Sequence, residues 1–105
     1  MAGGGSIDEL LAAARAQYAA TLPGKVAALE QIVRQAAWPE ARRAAHKLRG
    51  SASTYDHVAL GESAGAIEEV LLACSDTPDE VARAKIEAHL VEARAAAEQA
   101  CGEAR

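Results

Sequence analysis

From Ala41 onward the apolar residues of this chain fall in steps of three and four. Ala41, Ala45, Leu48, Ala52 and Tyr55 form one line. Leu60, Ala64, Ile67, Leu71 and Cys74 form a second, and Ala82, Ile86, Leu90, Ala93 and Ala97 a third. That spacing puts each line along one face of an α-helix. Helices with a single apolar face must hide it against one another, which is the constraint of a helical bundle. Half of the residues are apolar, yet aromatics make up 3% and Phe is absent. Ala and Leu therefore have to form the core. They suit close helix packing, and the β-branched and aromatic residues a sheet needs are scarce. No strand signal appears.

The 105 residues fit one domain with one core. The opening Met-Ala-Gly-Gly-Gly reads as a flexible leader over residues 1–5, which leaves residues 6–105 for the domain. Ser6 followed by Glu9 is a capping-box pattern that starts a first helix, with Ile7, Leu10, Leu11, Ala14 and Tyr18 at helical spacing. Pro23-Gly24 is expected to break or kink it, and Thr21 is placed to cap a second helix. That second helix turns Val26, Leu29, Ile32, Val33 and Ala36 inward. A third helix is expected over Pro39–Tyr55, a fourth over Val58–Cys74 and a last over Pro78–Ala100. Asp56 ends the third or caps the fourth. Thr77 is the expected cap of the last, with Pro78 in its first position and Glu80 completing a capping box. Connections this short make neighbouring helices antiparallel. The expected fold is all-α, an up-and-down antiparallel four-helix bundle with an additional N-terminal helix laid across one end.

Charge and cysteines exclude several functions. The net charge is −4, and a chain that is acidic overall without a basic face is a poor nucleic-acid binder. No apolar run is long enough to span a bilayer and no signal-peptide pattern opens the chain. Cys74 and Cys101 are far apart and read as reduced thiols of a cytoplasmic protein. His46, His57, His89 and the cysteines lack the local spacing of a zinc site. There is no Gly-rich phosphate loop, so no ATP site is expected.

The chemistry concentrates on the third helix. Arg42, Arg43, Lys47 and Arg49 put four cations within eight residues of an otherwise acidic chain. His46 lies one residue off the apolar line, on a face shared with Arg42, Arg43, Arg49, Gly50 and Ser53. An exposed imidazole beside positive charge suits a phosphoryl group that arrives and leaves, because charge-assisted bonds to phosphate oxygens are strong. Gly50 costs roughly 1 kcal/mol against alanine inside a helix. It opens the surface to a partner or permits a tight helix crossing, and position alone does not choose between them. His57 and His89 read as ordinary surface or core histidines.

The run His46-Lys47-Leu48-Arg49-Gly50-Ser51-Ala52-Ser53 resembles the motif of the histidine-containing phosphotransfer (HPt) domain of bacterial phosphorelays. The resemblance extends over roughly residues 6–100, and Leu60, Ala64, Ile67 and Glu68 continue it into the fourth helix. It implies a four-helix bundle with His46 as the phosphoacceptor through Nε2. Arg49, where the family usually has lysine, would contact the phosphoryl group, and Gly50 would open the docking surface. Glu68, twenty-two residues after His46, would hold Nδ1–H and fix the tautomer. An ordinary solvated helix glutamate is the alternative for Glu68, with Glu69 beside it. Many members have glycine ten residues after the histidine; this chain has Asp56 there, a residue that enters the left-handed region more readily than most.

The resemblance implies a carrier and no enzyme in the strict sense. Response-regulator receiver domains and a sensor or hybrid histidine kinase would be its partners. Mg²⁺ would come with the receiver, so no cofactor is expected of this chain. A docking module of the same fold that carries no phosphate is the competing reading, and a purely structural bundle is a third. A monomer is expected, on the premise that the bundle uses every strong apolar stripe.

Overall fold

The computed structural model describes residues 6–104; the leader expected at residues 1–5 lies outside them. Four helices fill it: α1 (Ile7–Arg34), α2 (Trp38–Thr54), α3 (Val58–Ala73) and α4 (Glu80–Glu103). Each helix packs on the next and α4 closes the ring against α1, with no diagonal packing among the described residues. Connections of a few residues make this an up-and-down antiparallel bundle, 59 Å long and about 20 Å across. The all-α bundle is the fold the apolar lines required.

The expected break at Pro23 is not there. Pro23 lies inside α1, a single helix of 28 residues, so no separate N-terminal helix crosses the end of the bundle. The reason is the line Ala19, Leu22, Val26 and Leu29, all at most 2% exposed, which runs past the proline without interruption. A helix-interior proline costs about 3 kcal/mol. Three buried aliphatic side chains bring about 1.5–3 kcal/mol each, and a break would pull apart the two that flank the proline. Thr21 caps nothing; its hydroxyl donates back to the Tyr18 carbonyl at 2.6 Å.

Along the first turns of α1 the apolar residues stay in solvent. Ser6 does cap the helix, accepting from the Glu9 N–H at 3.1 Å. Yet Ile7, Leu10 and Leu11, which follow helical spacing, are 74%, 61% and 58% exposed. The premise that every apolar stripe is used by the bundle fails here.

Two turns place α2. Gln35 ends α1, and the next two N–H groups fold back, Ala36 to the Val33 carbonyl and Ala37 to that of Ile32. After α2 the pattern repeats, Asp56 bonding Ser53 and His57 bonding Ala52. Both are Schellman caps, and both put a residue other than glycine in the left-handed region: Ala36 at φ 56° and Asp56 at φ 61°. Arg15 of α1 ties down the second turn, its Nε donating to the Tyr55 carbonyl at 2.8 Å. At α4 the cap is Asp79, which accepts from the Ala82 N–H at 2.8 Å, where Thr77 was expected. Pro78 is buried just before the helix, and Asp is the stronger cap.

The inner face of α2 is nearly all alanine. Ala41, Ala45 and Ala52 are fully buried, with Leu48 between them. A Cβ built on Gly61 of α3 would lie 3.7 Å from Ala52 Cβ and 3.8 Å from the Arg49 carbonyl oxygen of α2. The two helices that carry the site therefore lie close together.

Candidate functional site

Because Ala45 is on the buried line, the next residue turns about 100° away from it. His46 accordingly stands at the margin of α2 with its side chain 72% exposed. On α3 the same rule acts on Glu68, the residue after fully buried Ile67, but here it turns toward α2. Glu68 is only 6% exposed.

The two side chains meet. His46 Nδ1 lies 2.6 Å from Glu68 Oε2. The other carboxylate oxygen, Oε1, accepts from the Arg49 guanidinium at 2.9 Å. Burial alone would push the Glu68 carboxyl up, but the bonds from Arg49 and His46 and the positive charge beside it outweigh burial and hold the group below its ordinary value. Glu68 is therefore an acceptor at neutral pH. Hydrogen-bond logic then assigns the ring proton to Nδ1 and leaves the Nε2 lone pair on the exposed side. A ring with one nitrogen held and the other free is the arrangement a nucleophilic imidazole needs.

The cations divide into two groups. Arg49 is committed to Glu68. Arg42, Arg43 and Lys47 are exposed and form no ion pair among the described residues. Gly50 has open space where its Cβ would be, so the tight helix crossing offered as its alternative reading does not occur. Ser53 is exposed and, with Arg49, Gly61, Glu62, Gly65 and Glu69, lines an open groove of about 520 Å³ between α2 and α3.

Sequence reasoning missed two features. One is an aromatic cluster under the α2–α3 turn. Tyr18 stacks on Tyr55 with ring centres 4.4 Å apart and lies 5.6 Å from the His57 ring. The Tyr18 hydroxyl bonds Ser51 at 2.5 Å, and burial pushes that phenol up. His57, read as ordinary, has its Nε2 buried without a partner. No local pattern joins residues so far apart in the chain. The other is Gly65, whose missing side chain faces Arg49; a glycine in mid-helix was the available signal.

Among the described residues no three His, Cys, Asp or Glu side chains are placed to hold a metal ion. No helix described is long and apolar enough to cross a membrane. Residues 13–101 match the family model of the Hpt domain. No curated protein and no solved structure gives a significant match.

Proposed function

The chain belongs to the Hpt domain family, whose role is histidine phosphotransfer in two-component phosphorelays, and we propose that His46 is the phosphoacceptor here. The single observation that carries this is the Nδ1 contact to buried Glu68 at 2.6 Å, which leaves Nε2 facing out.

The chemistry follows from that contact. A receiver domain bearing an aspartyl phosphate docks over the cationic face of α2. The Nε2 lone pair forms the new P–N bond as the P–O bond to the aspartate breaks, and the bonding pair leaves with the carboxylate. The ring, still carrying its Nδ1 proton, becomes cationic, and Glu68 is in place to stabilise it. Arg42, Arg43 and Lys47 complement an acidic partner, and exposed Gly50 lets its surface approach the helix. Ser53 borders the same face. Return of the group to a second receiver reverses these steps. A hybrid or sensor kinase is the other partner this reading calls for, and the cytoplasm is its compartment. Mg²⁺ belongs to the receiver's own acidic pocket.

The test is transfer of labelled phosphate from a phosphorylated receiver. The label should reach this chain, resist alkali, yield to acid and be absent in His46→Gln. Receiver binding with no transfer would instead favour a docking module that carries no phosphate. Label retained in His46→Gln would assign the chemistry to another residue.

A further inference from the structure

Arg49 starts on α2 and ends on Glu68 of α3, and it crosses between them over Gly65. Gly65 is three residues before Glu68 on α3, on the same side of the helix. A Cβ built on Gly65 would lie 3.2 Å from Arg49 Cδ, 3.4 Å from Nε and 3.8 Å from Cγ. Two of these atoms are the arginine stem and the third is where the guanidinium begins, so the glycine forms the seat on which the side chain rests. Its backbone does not need glycine, because no described glycine has a positive φ. In a helix interior glycine costs about 1 kcal/mol against alanine, so something offsets that loss. At Gly24 and Gly50, by contrast, an added Cβ would meet nothing.

We infer that Gly65 is a positioning residue: its missing side chain seats Arg49 on Glu68, and Arg49 in turn keeps Glu68 aimed at His46 Nδ1. The logic is one of shared oxygens. With Oε1 held by Arg49 at 2.9 Å, the carboxylate cannot rotate without breaking a charge-assisted bond. Oε2 then has one place to be, on the imidazole. A methyl group at position 65 lifts the arginine stem by a few tenths of an ångström, and a larger group removes it. Glu68 keeps its burial but loses one donor, and the ring loses its fixed orientation. This inference rests on the reading of His46 as the phosphoacceptor.

The experiment uses the whole chain and phosphoramidate, a donor too small to need a docking surface. Nε2 takes the phosphoryl group as the P–N bond of the donor breaks and ammonia leaves. Gly65→Ala should slow labelling about threefold and Gly65→Leu about tenfold, as expected when a charge-assisted hydrogen bond is weakened and then lost. Gly65→Ala should melt no lower than the parent, because alanine is the better helix former. Gly24→Ala is the control, with the same gain in helix propensity and an unchanged rate. In an Arg49→Gln background, Gly65→Ala should change nothing further, since both act through one contact. In the free protein, ¹⁵N spectra should show the Arg49 guanidinium signals of Gly65→Leu moving toward those of a solvated arginine. Parent-like rates in both Gly65 variants would overturn the inference, as would rate losses that multiply in the double variant. If the parent itself takes no label on His46, the phosphoacceptor reading fails instead. The spectra then still decide the seat: Arg49 signals unmoved in Gly65→Leu overturn it.

Discussion

Glu68 is a charged residue at 6% exposure; Ile7 is a large aliphatic one at 74%. The middle of the α2–α3 pair and the first turns of α1 thus invert the usual rule of apolar inside and polar outside. Both sit on helices with regular apolar spacing. What separates them is whether a neighbour is present. α2 and α3 lie close enough for a carboxylate to be covered, and His46 and Arg49 supply the two donors that make its burial tolerable. Every residue of the first turns of α1, from Ile7 to Ala13, is exposed, so no packing covers them. Ile7, Leu10 and Leu11 also fall before residue 13, where the family match begins. Spacing shows that a helix has a face, and the rest of the fold decides whether that face is used.

The comparison breaks most sharply at Glu68. Glu68→Ala should slow phosphoryl transfer to His46 on the order of a hundredfold, the scale of a reacting group misplaced by about 1 Å. It should also lower stability by about 1–3 kcal/mol, because Arg49 and the ring lose a buried acceptor. Transfer assays and denaturant melts read the two effects separately.

A pH titration sharpens the same contrast. The folded carboxyl of Glu68 is held below its ordinary value. Its contribution to stability is therefore present above the unfolded carboxylate value and is lost as pH falls through the lower folded one. Melts across the acid range should show a shallower acid-side loss for Glu68→Gln than for the parent. Parallel curves would mean that Glu68 is not held in its charged form.

Smaller effects belong to the turns. Ala36→Gly should raise stability by about 1 kcal/mol, because alanine in the left-handed region carries a steric cost that glycine lacks. Asp56→Gly should gain less, since aspartate tolerates that region better. Thermal melts of the pair rank the two, and equal gains would count against a special tolerance of aspartate. The smallest effect is expected at the exposed end. Ile7→Gln, Leu10→Gln and Leu11→Gln together should alter stability by no more than about 0.5 kcal/mol per site. A loss of several kcal/mol in the triple variant would show that this face is covered in solution.

The sequence was most legible where one local rule sufficed. The lines on α2, α3 and α4 located those helices to within a few residues, and the step from Ala45 to His46 already put the imidazole at the edge of the core. Ser6 and Glu9 marked a true helix start. Legibility ended where distant residues compete. Pro23 signals a break, and buried Leu22 and Val26 on either side of it prevail. Thr77-Pro78 looks like a cap, and Asp79 takes the role once Pro78 is buried. Gly50 and Gly65 look alike in the chain, yet one faces solvent and the other an arginine of the preceding helix.

The helix that bears His46 is zoned lengthwise. Its inner strip of alanines has no slack for a larger side chain, since overpacking a tight helix contact costs about 1–3 kcal/mol. Its outer strip, where Arg42, Arg43 and Lys47 stand in solvent, accepts replacement at little cost to the fold. If a receiver docks there as proposed, partner preference can drift along one side of α2 while the other keeps the imidazole where it is, so that a paralogue could acquire a new receiver without relearning how to fold.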